Sequence, residues 1–208
     1  MMRLHDYWRS SASYRVRIAL GLAGLDWQAR PVDLLAGDQT APAYLRLNPQ
    51  GLVPALETDG HVLTQSLAIV EYLDEVHGLG LLPGDAADRA RVRALAYAVA
   101  MEIHPVCNTR VARFATEMSG GAIAMEGWMQ RWIGPGLAAL EEMLEGGEHC
   151  WGDAVTLADI CLVPQLYNAR RWGVALDGLP KIVRIDAHLA RIPAFAAAHP
   201  DRVRPDEG

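Results

Sequence analysis

An α/β amino-terminal part followed by an all-helical remainder is the fold class predicted, on three observations. Strand-like and helix-like apolar spacings alternate over the first 77 residues. A run rich in glycine and proline, Gly78-Leu79-Gly80-Leu81-Leu82-Pro83-Gly84-Asp85, then breaks the pattern, and beyond it the apolar residues keep helical spacing. The domains expected are therefore 1–82 and 86–208.

The elements follow in order. Leu4 with Tyr7-Trp8 reads as a short first strand, and Val16, Ile18, Ala19, Leu20 and Leu22 recur as one helix that Gly24 stops. Trp27 to Leu34 is short and mixed enough for a second strand, and Ala41 to Leu47 is a brief helix or irregular turn. Val53–Leu56 and Val62–Thr64 are strands, and Ser66, a residue suited to an N-cap, opens an apolar helix to about His77. The order is β-α-β-α-β-β-α. In the second half, Val92, Leu95, Ala96, Val99, Ile103, Val106, Val111 and Phe114 predict one long helix over 86–118, kinked at Pro105. A second long helix is predicted over 122–144. Thr156 and Asp159 have the N-cap and N3 spacing of a capping box before Ile160, Leu162, Val163 and Leu166. One or two shorter helices should follow Pro180, and Pro205 to Gly208 has nothing to bury.

The 208 residues carry a net charge of -6, a pI near 5.6 and no dense basic run, which gives no electrostatic reason to bind nucleic acid or an anionic membrane. No apolar signal core or membrane-spanning run is present. Cys107, Cys150 and Cys161 form neither a CxxC pair nor a Cys/His cluster, so no metal and no disulfide framework is expected and a cytoplasmic location is.

The stretch that carries chemistry is Asn48-Pro49-Gln50-Gly51-Leu52-Val53-Pro54-Ala55-Leu56, followed by Val62-Leu63-Thr64-Gln65-Ser66. Val53 precedes a proline and is pushed to extended geometry, while Pro54 offers no N–H, leaving the Val53 backbone to pair with an extended ligand. Gln65 and Ser66 stand where a strand meets a helix, where free amides face a carboxylate. Upstream, Ser10, Ser11 and Ser13 crowd the start of the first helix; one is accounted for as a cap, and a thiol bound there would meet hydroxyl donors and the positive end of the helix.

V-P-A-L followed by Q-S-x-A-I-x-x-Y-L resembles the glutathione-binding half of a glutathione S-transferase, and the strand order resembles the thioredoxin-like fold. The resemblance implies a cis Val53-Pro54 bond, pairing of Val53 with the cysteinyl part of glutathione, and a γ-glutamyl carboxylate held by Gln65 and Ser66, with Gln50 and Pro54 in the same cofactor site. Ser10 to Leu20, S-S-A-S-Y-R-V-R-I-A-L, is similar to the zeta-class signature S-S-C-[SA]-W-R-V-R-I-A-L of the maleylacetoacetate and maleylpyruvate isomerases. Ala12 stands where the signature has cysteine and Tyr14 where it has tryptophan, so chemistry through that cysteine is excluded.

The same resemblance extends to Ile103-His104-Pro105-Val106-Cys107-Asn108, which matches the zeta pattern I-H-P-x-x-N and implies a glutathione-site role for His104 and Asn108. On the continuous helix expected here, His104, Cys107, Asn108 and Val111 share one face, and Cys107 is a small apolar filler. Val163 to Trp172 is similar to V-P-Q-x-x-x-A-x-R-[FW], which places Arg171 at the substrate arginine and leaves Arg170 to pair with an acid. Arg9, Arg110 and Arg171 are the arginines expected to meet a dicarboxylate, a role that suits a planar bidentate donor. The activity implied is glutathione-dependent cis–trans isomerisation of a cis-enedioic acid by reversible thiolate addition, with Ser10 and Ser11 supporting the thiolate, in a homodimer. The alternatives are a transferase that conjugates or dehalogenates α-halo acids and a non-catalytic glutathione-binding module.

Overall fold

The computed structural model describes residues 1–205, so Asp206 to Gly208 of the expected tail lie outside the described residues. The chain divides into two compact units. One is Met1–Leu79 together with the segment that starts at Arg191; the other is Gly80–Ala190. The boundary near residue 80 falls in the glycine- and proline-rich run. The helices after Arg191 belong with the amino-terminal unit, which differs from the expected 86–208.

The first unit is built on strands β1 (Met2–Asp6), β2 (Trp27–Pro31), β3 (Ala55–Thr58) and β4 (His61–Thr64), in the order β2-β1-β3-β4. β1 and β2 are parallel, with Leu4 opposite Ala29; β3 runs antiparallel to both β1 and β4, with Leu56 opposite Leu4 and Leu63. Helices α1 (Ser11–Leu22), α2 (Pro42–Leu45) and α3 (Ser66–His77) complete the thioredoxin-like order. Leu4, Val16, Ile18, Leu20, Leu56, Ile69 and Leu73 are fully buried. β1 stops before Tyr7 and Trp8, because Tyr7 O accepts from Ser10 N at 2.9 Å and Trp8 O from Arg17 Nη2 at 2.9 Å. β3 likewise starts two residues after Val53.

Arg15 and Arg17 face inward from α1, each 2% exposed. Arg17 Nη1 reaches both carboxylate oxygens of Asp6 at 2.8 Å, and its Nε donates to Ala198 O at 3.1 Å. Tyr14 Oη donates to Phe195 O at 3.4 Å. These bonds and the apolar contact of Phe195 hold the returning carboxy-terminal segment on α1. That segment carries α10 (Pro193–Ala198) and α11 (Pro200–Val203), each opened by proline in its first turn, where the missing N–H has no intrahelical partner to lose.

In the second unit the helix expected over 86–118 is broken. α4 (Ala86–Tyr97) runs into a π-helical stretch, Ala98–Ile103, and a short α5 (His104–Val106); α6 (Thr109–Met118) then starts afresh. The break has a local cause. Asn108 adopts φ -64° and ψ 134° and its Oδ1 accepts from Arg110 N at 3.1 Å, so the side chain caps a new helix instead of continuing the old one. Trp128 Nε1 takes up Val106 O at 2.9 Å. α7 (Met125–Met143) crosses the π-helical stretch at Gly136, where a Cβ would lie 2.6 Å from Ile103 Cγ1.

α8 (Leu157–Arg171) is the core helix, opened by the Thr156/Asp159 box: Asp159 Oδ2 accepts from Thr156 N and Oγ1, and Oδ1 from Cys150 N. α9 (Pro180–Leu189) and α7 cap each other. Buried Glu141 accepts from the N–H groups of Lys181 and Ile182, both at 2.9 Å, while Lys181 Nζ donates to the carbonyls of Glu141 and Leu144. With α10 and α11, three helices follow Leu179 among the described residues, where one or two were expected. No helix among the described residues is long and apolar enough to cross a membrane.

Candidate functional site

In the amino-terminal unit the loop from Asn48 to Pro54 is shaped by an asparagine. Asn48, 2% exposed, accepts Gln50 N on Oδ1 at 3.1 Å and donates from Nδ2 to Leu52 O at 2.7 Å. Tyr44 Oη donates to the same carbonyl at 2.7 Å. Burial pushes the Tyr44 hydroxyl up to about 12, so it remains a donor. Gly51 sits at φ 62°, where a Cβ would come within 3.2 Å of Gln39 O, and only glycine takes that turn without strain. The loop thus fixes Leu52 and delivers Val53, which takes part in no backbone hydrogen bond among the described residues. The Val53-Pro54 peptide bond is cis.

Gln65 joins this loop from the other side. It ends β4 at φ 67° and ψ 113°, and its Nε2 donates to Gln50 Oε1 at 2.7 Å. Gln65, not Ser66, is the N-cap of α3, and no side chain caps the first amides of that helix. Ser66 is its first helical residue, and its hydroxyl is taken from below, where Arg15 Nη1 donates to Ser66 Oγ at 3.3 Å. A main-chain edge at Val53, two linked amides and an uncapped helix start together fit an extended peptide-like ligand with an anionic end. A non-glycine residue at positive φ in such a place is strain of about 1–3 kcal/mol held by its surroundings.

Gln65→Gly tests that strain. Glycine tolerates φ 67° but disorders the unfolded chain, so the stability change should lie within about 1 kcal/mol of zero. Affinity for glutathione, the ligand that the sequence resemblance implies, should fall all the same. Calorimetric titration beside a denaturant melt reads both; a large loss of stability would show that the Gln65 side chain is a fold contact first.

Ser10 is the N-cap of α1, its Oγ accepting from Ser13 N at 3.2 Å, and its own proton has no acceptor among the described residues. Ser11 is the first helical residue and already has an interaction of its own. Arg9 is half-buried, with its guanidinium 5.1 Å from the Trp8 ring centre, Nη2 3.4 Å from Tyr7 Oη, and Nε buried with no partner among the described residues.

In the helical unit the face expected for His104, Cys107, Asn108 and Val111 does not form, because Asn108 is a cap beyond the end of α5. Burial pushes the Cys107 thiol up to about 11, which suits a neutral filler. Arg110 is exposed in the first turn of α6. At the end of α8, Arg170 pairs with Asp186 at 2.6 Å, while Arg171 turns over the Trp172 ring at 4.7 Å. Sequence reasoning passed over Asn48, Tyr44 and Arg15. The signal for the first was the Asn-Pro-x-Gly turn; for the last it was a cation inside an apolar helical run.

The family model for the glutathione S-transferase N-terminal domain matches residues 9–76. The chain is 59% identical over 207 residues to the maleylacetoacetate isomerase of Rhizobium meliloti (strain 1021), with 97% of each chain covered. Among solved structures it is similar to the holo form of maleyl pyruvate isomerase, a bacterial zeta-class glutathione S-transferase, at a TM-score of 0.94 and 41% identity over 99% of this chain and 100% of that one. It is also similar to the maleylacetoacetate isomerase of Anaeromyxobacter dehalogenans 2CP-1 with dicarboxyethyl glutathione and citrate in its active site, at a TM-score of 0.87 and 45% identity over 100% and 98% of the two chains.

Proposed function

Because the chain belongs to the glutathione S-transferases, within the zeta class of maleylacetoacetate and maleylpyruvate isomerases, we propose that it is a glutathione-dependent cis–trans isomerase that converts maleylacetoacetate or maleylpyruvate to the fumaryl isomer. The observation that carries this reading is the identity over 97% of the chain with a maleylacetoacetate isomerase. The cradle at Val53, Gln50, Gln65 and Ser66 supports it. Glutathione supplies a thiolate for reversible addition to the activated double bond.

The residues divide the work. Val53 offers main-chain N–H and C=O to the peptide part of glutathione beside Pro54, and Gln65 and Ser66 hold its γ-glutamyl carboxylate. Ser10 points an unclaimed hydroxyl proton from the start of α1, where the helix dipole also favours negative charge. We assign Ser11 to the same loop as its second donor, and His104 and Asn108 to the cofactor side of the helical unit. Arg9, Arg110 and Arg171 are assigned to substrate carboxylates, and they supply fixed positive charge where charge develops on the substrate oxygen.

The test is turnover of both substrates with glutathione well below their concentration, following loss of the enol absorbance and counting glutathione before and after. An isomerase leaves the count unchanged, and consumption in step with substrate would make the protein a conjugating transferase. Ser10→Ala should raise the pKa of the bound thiol and slow turnover while glutathione still binds, and Ser11→Ala should do so less. Thiolate absorbance and rate unchanged in both would remove the serines from the mechanism.

We further infer a homodimer in the cytoplasm. Val76 in the first unit and Met101, Phe114 and Met118 in the second are each more than half exposed, apolar side chains that a second copy would cover. Cys107, Cys150 and Cys161 form no disulfide among the described residues, in keeping with a reducing compartment. Sedimentation that gave a single species near 22.7 kDa at micromolar concentration would overturn the dimer.

A further inference from the structure

We propose that Arg15 is a positioning residue of the glutathione site, acting through Ser66 from beneath the first turn of α3. The inference rests on the reading of that turn as the seat of the γ-glutamyl carboxylate. Arg15 is 2% exposed and Ser66 7% exposed, and the bond between them joins α1 to α3 across 51 residues of sequence.

A guanidinium only donates, so Ser66 Oγ must be the acceptor in this pair. The Ser66 hydroxyl proton is thereby turned away from Arg15, and among the described residues it meets no acceptor. The first amides of α3 have no side-chain cap. Ser66 is thus held as a donor in the same place where the helix presents its uncapped N–H groups, and a charged donor behind it strengthens the outgoing hydrogen bond. The buried cation adds to the positive end of the helix dipole in a medium less polar than water. An arginine serving only to pack α1 on α3 would not need to engage the one hydroxyl at the helix start.

The experiment is a double-mutant cycle in the full chain, with Arg15→Met, Ser66→Ala and the pair. Affinity is titrated for glutathione and for 4-aminobutyryl-Cys-Gly, which lacks the γ-glutamyl carboxylate. Arg15→Met should weaken glutathione about tenfold or more, as for loss of a charge-assisted bond, yet change it less than about threefold once Ser66 is alanine. Affinity for the analogue should move little in any variant. The KM for glutathione should rise while kcat at saturating glutathione stays within about twofold. If Arg15→Met does not fold, Arg15→Lys carries the cycle; it keeps the charge but loses the fork, and the same coupling at smaller size is expected.

Additive effects of the two substitutions, or equal losses for glutathione and the analogue, would make Arg15 a packing residue and overturn the inference. If Ser66→Ala and Gln65→Gly both leave glutathione affinity unchanged, the seat itself is misplaced and the underlying reading falls. Coupling absent while those two single effects persist removes Arg15 alone.

Discussion

Arg171→Ala is expected to lower kcat/KM for the dicarboxylic substrate by about 2–5 kcal/mol of transition-state binding, the scale for truncating one partner of a hydrogen-bonded charge pair. Glutathione affinity should be nearly unchanged. Arg170→Ala is the control, since that side chain is already engaged by Asp186 at 2.6 Å and lies half-exposed, where a pair contributes about 0–1 kcal/mol. Arg171→Lys should recover little, because an ammonium offers no planar fork to a carboxylate. An uncharged electrophile assayed in parallel should be indifferent to both arginines. Equal behaviour of the two mutants, or an equal loss on the uncharged electrophile, would show that Arg171 supports the end of α8 and does not hold substrate.

Asp6→Ala should destabilise the protein by about 3–5 kcal/mol, because it leaves the Arg17 guanidinium buried without its counter-charge. The side chains are 1% and 8% exposed, so water cannot make good the loss. The double substitution Asp6→Leu with Arg17→Met should cost less than Asp6→Ala alone, since no bare charge remains. It should still not be neutral, as Trp8 O and Ala198 O lose the donor that serves them. Denaturant midpoints with unchanged slopes would measure both. A loss under about 1 kcal/mol for Asp6→Ala would mean that solvent reaches Arg17 after all.

Strand β4 and helix α3 fall at the residues that the alternation of His61 to Thr64 and the spacing of Leu67, Ile69, Val70 and Leu73 predict, because each pattern is complete within one element. The cis Val53-Pro54 bond was implied by the family resemblance and not by the residues alone, and the strand expected from Val53 starts only at Ala55. The helix expected over 86–118 is broken for the opposite reason. Apolar spacing continues through residues 104–111, but Asn108 has a side chain that competes for a backbone N–H, and periodicity does not weigh that competition. Ser66 reads as a cap because serine at a strand–helix junction usually is one. Its oxygen is claimed by Arg15, from a helix that local sequence could not place beneath it. The return of the segment after Arg191 to α1 was invisible for the same reason, since it depends on Arg17 finding a carbonyl at residue 198.

The mutual capping of α7 and α9 has a consequence for the protein's own reactivity. Lys181 is the single lysine in the chain, and its ammonium is held by two carbonyl oxygens at the end of α7. The three cysteines are all buried, and burial keeps the thiols of Cys107 and Cys150 protonated. A conjugated keto acid attacks whatever soft or basic side chain it meets, by addition or by condensation. Of its lysine and cysteines this chain offers such an electrophile one engaged amine and three shielded thiols, so the side chains left open to it are the exposed imidazoles of His61 and His77.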